Sequence, residues 1–208
     1  MAKKTSWVTL YIALGIVWGC SFIFIKLGLE FLTPIGVAFG RVSLGALTLV
    51  LWARFKGIAL PKGRIMWLHL WVVSLLLNVI PGILFALAET EVTSILAGII
   101  NAVTPLMTLL AIMIAFREEK PKSFQVIGLL IGFLGVLTVL GAWQGLGENP
   151  AGAVIALLCA VACYGISFPY SHKFVLPKKI QAESLAAGQL TMGALTLLPM
   201  YLVDGVAK

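Results

Sequence analysis

The sequence has few of the residues that soluble proteins place on their surfaces. Charged side chains make up 11% of its 208 residues, whereas about a quarter of residues are charged in a typical soluble domain. Hydrophobic residues make up 61%, and the mean hydropathy is +1.06. One core in a chain of this size cannot hide so much apolar surface from water. The composition therefore excludes an ordinary soluble protein and indicates a chain embedded in the lipid bilayer.

The residues of common catalytic and metal sites are also scarce. The sequence has three cysteines without a CxxC pair, and its two histidines, His69 and His172, lack the spacing of metal ligands. It contains no nucleophile elbow, zincin motif or phosphate-binding loop. Paired catalytic carboxylates or histidines within the apolar runs are missing too. The sequence thus predicts no metal site and no enzyme, including an intramembrane one.

Apolar runs of about 20 residues predict seven transmembrane helices. The predicted spans are joined by short connections and cover residues 7–27, 34–53, 66–87, 93–116, 124–143, 151–171 and 184–203. Strands are excluded because an open sheet cannot satisfy its backbone polar groups in hydrocarbon. The expected fold class is all-α, a polytopic transmembrane helix bundle.

Basic residues cluster on one side of the predicted membrane. Twelve of the 15 lie there, namely Lys3, Lys4, Arg54, Lys56, Lys62, Arg64, Arg117, Lys120, Lys122, Lys173, Lys178 and Lys179. The opposite side carries Glu30, Glu89, Glu91, Glu148 and Asp204, with Lys208 as its base. The positive-inside rule makes the N-terminus of this multi-pass chain cytoplasmic. The net charge of +7 therefore reflects topology, and no nucleic acid is expected as a partner.

The sequence repeats itself. Residues 40–49 (GRVSLGALTL) return at 188–197 (GQLTMGALTL) with six of ten positions identical. Upstream of each copy, residues 18–22 (WGCSF) match 164–168 (YGISF). Two matches in the same order, at nearly the same offset, indicate a duplicated membrane protein.

The repeat defines the predicted organisation of the chain. A first five-helix repeat is expected over residues 1–145, and the first two helices of a second repeat over 150–208. Because five helices separate the two starts, the copies enter the membrane from opposite sides. Inverted repeats of this kind are a recurring plan of secondary transporters, with the substrate site between the repeats.

Ionisable residues within predicted spans are rare and often functional. Arg41 lies roughly 10 Å from the outer boundary, at about 1.5 Å per residue. It can neutralise an anionic group of a small-molecule substrate, or it can pair structurally with helix carbonyls, Glu30 or Glu89. Lys26, at the outer end of its span, is expected to snorkel to the interface.

Two asparagines precede prolines within the spans. Asn78 is followed by Pro81, and Asn101 by Pro105. Because proline removes a helical hydrogen bond and frees a carbonyl, Pro81 and Pro105 are candidates for helix kinks or gates. The two asparagines are then candidates for binding substrate. The alternative is a kink that serves packing alone.

Two further patterns allow a functional and a structural interpretation. Trp18 and Tyr164 occupy equivalent positions in the two copies, where they can stack on a substrate, form a gate or fill the core. GxxxG spacings at 15–19, 36–40 and 128–132 predict close helix packing inside the protein, with a dimer face as the lesser alternative.

These features resemble the EamA-type repeat of the drug/metabolite transporter superfamily. The residues that carry the resemblance are 18–22 (WGCSF) with Lys26, Arg41, 104–106 (TPL), Glu119 and 132–136 (GFLGV). The resemblance covers essentially the whole chain and is nearly silent on the substrate.

The resemblance implies a bacterial inner-membrane carrier of ten helices, without a cofactor, that exports amino acids, metabolites or drugs by alternating access. By position it implies a cavity containing Trp18, Asn78, Asn101 and Tyr164, and a helix-capping role for Glu119. Seven of the ten helices are predicted here, so a non-transporting membrane protein or an inactive remnant is the alternative. A further alternative is a homo-oligomer or a partner that supplies the missing helices.

The ten-helix interpretation predicts the mass of the native product. The chain has a mass of 22.3 kDa, and three more helices of about 20 residues with their loops would add roughly 9–10 kDa. Intact mass spectrometry of the protein purified from its own membranes measures this difference. A native mass near that of the present chain would contradict the ten-helix carrier.

Overall fold

The computed structural model describes residues 7–115, 122–139 and 149–204. All regular secondary structure in these ranges is helical, which confirms the predicted all-α class. The α-helices are α1 (Trp7–Gly28), α2 (Pro34–Phe55), α3 (Arg64–Ser74), α4 (Ile80–Glu91), α5 (Ser94–Asn101), α6 (Thr104–Ala115), α7 (Ser123–Val139), α8 (Ala151–Phe174) and α9 (Ala182–Asp204). A π-helical turn (Leu75–Val79) joins α3 to α4, and a 3-10 turn (Leu176–Lys178) follows α8.

Six helical stretches are long and apolar enough to cross a bilayer. They are α1, α2, α3 with α4, α5 with α6, α8 with its 3-10 turn, and α9. The apolar helix α7 is shorter, at 17 residues. These elements follow the order of the seven predicted spans and confirm the polytopic bundle. Several residues used in the sequence predictions lie outside the described ranges: Lys3, Lys4, Phe116, Arg117, Glu119, Lys120, Trp143, Glu148 and Lys208.

Local sequence signals start two of the helices. Thr33 precedes α2 with an extended backbone, and its side chain accepts a hydrogen bond from the Gly36 N–H. Pro34 then occupies the first helical position, where its missing N–H costs nothing. Thr93 caps α5 in the same way by accepting from the Leu96 N–H. Such caps satisfy backbone donors that the helix itself cannot satisfy.

The largest buried cluster lies where α1, α4, α5 and α8 meet. Ile25, Phe85, Ile100 and Leu157 are each at most 2% exposed within it. Many large apolar side chains elsewhere are exposed, especially along α1. Exposed apolar side chains are expected on helices that face lipid, because lipid tails solvate them as well as a protein core does.

The two copies of the repeated sequence pack against each other. Residues 40–49 lie in α2 and residues 188–197 in α9, and these helices form an extensive contact. A Cβ built on Gly45 would lie 3.0 Å from Leu190 Cδ1, and one built on Gly193 would lie 3.0 Å from Val42 Cγ1. In the repeat, Gly45 matches Gly193 and Val42 matches Leu190. This reciprocity is the contact pattern of a local two-fold axis between the helices.

At five of the six glycines of the GxxxG spacings, the described residues form no close helix approach. A Cβ was built on Gly15, Gly19, Gly40, Gly128 and Gly132. Among the described residues, none of the five has a heavy atom within 4 Å apart from its chain neighbours and the nearby backbone of its own helix. The close helix approaches occur instead at glycines outside these motifs. A Cβ on Gly165 would lie only 2.6 Å from the Met107 backbone, because α8 crosses α6 at that point.

The Gly165 contact gives a stability prediction. Gly165→Ala should destabilise the protein by about 1–3 kcal/mol, because its methyl group would overlap main chain that cannot rotate away. Gly19→Ala is the matched control, since Gly19 occupies the equivalent repeat position and meets no described neighbour. Thermal unfolding in detergent measures both variants. Equal melting temperatures for the two variants would contradict the close α6–α8 crossing.

Candidate functional site

A cavity of about 190 Å³ opens where α2, α8 and α9 meet the junction of α3 and α4. Its described lining consists of Ala38, Arg41, Val42, Leu77, Asn78, Gly82, Tyr164 and Leu190. Three of these residues are polar, and each comes from a different element. Arg41, Asn78 and Tyr164 are thus brought together from distant parts of the sequence. They are three of the five residues predicted to bind substrate.

The π-helical turn forms the part of the cavity wall that carries Asn78. The Ile80 N–H bonds to the Leu75 carbonyl, one residue further back than in an α-helix. Pro81 follows, and its missing N–H cannot bond to the Leu77 carbonyl. Single π-helical turns of this kind are frequent at functional sites. The buried Nδ2 of Asn78 has no acceptor among the described residues.

Arg41 contributes a cation to the cavity. Its Nη2 donates a hydrogen bond to Ser21 Oγ of α1 at 2.6 Å, which is the only hydrogen bond that the described residues provide to its side chain. Glu89 interacts with Arg41 through its charge, without a hydrogen bond. The guanidinium carries five N–H donors, and the hydrogen bond to Ser21 uses one of them.

Packing on α4 holds the aromatic ring of Tyr164. The Tyr164 ring stacks on Phe85 with ring centroids 5.9 Å apart, and Phe85 contacts Phe22 at 5.4 Å. Phe85 is only 2% exposed. Because the aromatic contacts restrict the ring, the phenol is presented to the cavity in one orientation.

The comparison with known families agrees with this membrane bundle. The model of the EamA-like transporter family matches residues 5–141, which is more than half of the chain. The chain belongs to the EamA-like transporter family. The family is one of membrane transporters, and it confirms the resemblance found in the sequence.

Two of three similar proteins carry transporter names. An uncharacterized inner membrane transporter, YedA of Escherichia coli K12, is 28% identical over 86% of this chain and 58% of its own length. Protein PagO of Salmonella typhimurium is 28% identical over 82% of this chain and 56% of its own. An uncharacterized transporter of Archaeoglobus fulgidus is 26% identical over 93% of this chain and 66% of its own. The EamA-like chain thus spans little more than half the length of the first two relatives. No solved structure matches it significantly.

The other predicted site residues of the EamA-like chain lie away from the cavity. Trp18 is 43% exposed on α1, and it does not belong to the described lining. Asn101 ends α5, where its carbonyl accepts a hydrogen bond from Thr104 Oγ1 at 2.7 Å. Pro105 is the second residue of α6, directly after the interruption of the fourth span. Asn101 and Pro105 do not belong to the described lining either, whereas Pro81 is buried in α4 next to the π-helical turn.

A buried carboxyl group was not singled out from the sequence. Glu89 was assigned to the outer side of the membrane, yet it lies within α4 with 0% exposure. Ser94 Oγ donates to its Oε2 at 2.8 Å, and no described donor reaches its Oε1. Lys26 donates to the carbonyls of Glu89 and Val92 and thereby caps the end of α4. In the structure α4 extends to Glu91, past the predicted end of the span at residue 87.

The unpaired amide of Asn78 gives a second prediction. Asn78→Leu should raise the stability of the ligand-free protein by about 1–3 kcal/mol, because a buried donor without an acceptor is removed. Asn101→Leu is the control, since the Asn101 Oδ1 accepts weakly from Thr104 Oγ1 at 3.4 Å and gains nothing by removal. Chemical unfolding in mixed micelles compares the variants. A loss of stability in Asn78→Leu would show that the amide is satisfied within the fold.

Proposed function

We propose that the chain forms the substrate-binding part of an exporter of small metabolites that works by alternating access. The observation that carries the proposal is the convergence of Arg41, Asn78 and Tyr164 on one cavity between helices of both sequence copies. Membership of a transporter family makes a translocated solute the natural occupant of such a cavity. Polar residues at membrane depth are otherwise costly to retain.

The packing of α2 against α9 supports the alternating-access part of the proposal. The reciprocal contacts of Gly45 with Leu190 and of Gly193 with Val42 are those expected of inverted repeats related by a two-fold axis. In such transporters one repeat rocks against the other around a fixed site. The cavity lies beside this contact, because Val42 and Leu190 belong to its lining as well.

The interruption of the third span supports the same mechanism. A helix broken near a substrate site leaves backbone groups free to bind a solute and to change partners during transport. The π-helical turn and Pro81 provide such a break beside Asn78. We further propose that the N-terminus is cytoplasmic, as the distribution of basic residues indicates. Export then carries the solute from the side of the N-terminus to the opposite side of the membrane.

Replacing Arg41 tests the proposed function. Arg41→Ala in the native product should reduce transport by at least roughly tenfold with expression intact, because a charge-assisted contact to the solute is lost. The assay measures efflux of labelled amino acids, organic acids and cationic drugs from cells and from proteoliposomes. Arg54→Ala is the matched control, because Arg54 is exposed in the last turn of the same helix.

Two results would contradict the proposal. Unchanged transport by Arg41→Ala would remove this cavity from the transport path. Absence of transport for every solute in the panel, by a native product that is folded and inserted, would favour the non-transporting alternative.

A further inference from the structure

We propose that the cavity selects small monoanionic organic acids and that Arg41 binds their carboxylate. The inference rests on the proposed function, since it names the substrate class of the same cavity.

The described lining of the cavity carries a single charge. Arg41 is its one ionised residue, and no described carboxylate lines the space. An ammonium group or a cationic drug would meet a like charge there without a partner, whereas an anion would offset the guanidinium. In a medium of low dielectric constant such compensation is worth far more than in water.

The donors of Arg41 are available for a carboxylate. Its hydrogen bond to Ser21 uses one N–H, and the planar guanidinium has five. Two parallel N–H groups match the two oxygens of a carboxylate, and this bidentate geometry favours Arg over Lys at such sites. Ser21 anchors one edge of the guanidinium and so restricts its orientation.

The neutral polar residues of the lining complement an anion. The phenol O–H of Tyr164 can donate to a carboxylate oxygen, and its ring is already held by Phe85. Asn78 has an Nδ2 without an acceptor among the described residues. Rotation about its last side-chain torsion, which is broad and roughly two-fold, can turn the N–H groups toward a ligand.

The charges outside the lining leave one positive charge for the ligand. Lys26 donates hydrogen bonds to the main-chain carbonyls that end α4. It also interacts with the Glu89 carboxyl group through its charge. Their formal charges are opposite. The repeat position that matches Arg41 is Gln189 in α9, so the second copy adds no further cation. This count favours a single negative charge on the substrate.

The size of the cavity limits the rest of the ligand. A volume of about 190 Å³ lies below the roughly 300–1,000 Å³ of sites for drug-sized molecules. The apolar lining of Ala38, Val42, Leu77 and Leu190 suits a short aliphatic chain behind the carboxylate.

Ligand-observed NMR on the purified chain in lipid nanodiscs tests this inference. The probes are butyrate, butyramide, butylamine and butylphosphonate, which share an alkyl chain and differ in their polar group. We expect saturation transfer to butyrate, with affinities for butyramide and butylamine at least roughly tenfold weaker, as the loss of a charge-assisted bidentate contact implies. If the unmodified chain bound butyramide or butylamine as tightly as butyrate or more tightly, the inference would be overturned.

Variants assign the binding to Arg41. Arg41→Gln should weaken butyrate binding by roughly tenfold or more, Arg41→Lys should retain part of it, and Tyr164→Phe should weaken it less than Arg41→Gln. Arg54→Gln, thirteen residues further along α2 and thus about 20 Å away, should leave it unchanged. Unchanged butyrate binding in Arg41→Gln would overturn the inference, and binding of butylphosphonate alone would replace carboxylates with phosphate-like anions.

The same probes separate this inference from the proposed function. Efflux of amines or neutral solutes by the native product, without binding of butyrate, would contradict the substrate class and leave the transporter standing. Binding of butyrate that requires Arg41, without efflux of any solute, would contradict transport and leave the anion site standing.

Discussion

Every main-chain polar group inside the bilayer needs a hydrogen-bond partner within the protein, and both the architecture and the cavity follow from this requirement. It is met by helices along almost all of the described chain. At the turn Leu75–Val79 the regular pattern fails, because Pro81 cannot donate and the ladder shifts by one residue. The groups released there lie beside Asn78. The site therefore forms where the constraint is hardest to satisfy.

Close packing between helices places the other cavity walls. Since lipid gives no hydrophobic drive for helices to associate, they depend on close contact at small residues. Gly165 lets α8 approach the α6 backbone, and Gly193 lets α9 approach Ser74 of α3 and Val42 of α2. These contacts carry Tyr164 and Leu190 to the positions from which they meet Arg41. The charge of Arg41 then gives the cavity its chemical character.

Local sequence signals selected three of the residues that line the cavity but could not show that they meet there. Arg41 was noticed for its charge at membrane depth, Asn78 for the proline that follows it, and Tyr164 for its place in the repeat. The same signals also selected Trp18 and Asn101, which lie elsewhere. Each signal reports depth or backbone bonding, whereas membership of a cavity depends on which face of a helix meets which neighbour. The burial of Glu89 likewise depends on the neighbours that α4 meets on folding.

The helical class, the order of the spans and the family follow from the amino-acid sequence, because apolar runs and repeats are properties of consecutive residues. The partners of each helix arise only on folding. GxxxG spacing predicted close contacts that the described chain forms instead at isolated glycines, because a small residue permits an approach without choosing the helix that makes it. The three-dimensional packing therefore determined that Arg41, Asn78 and Tyr164 share one cavity, and that Glu89 is buried near them.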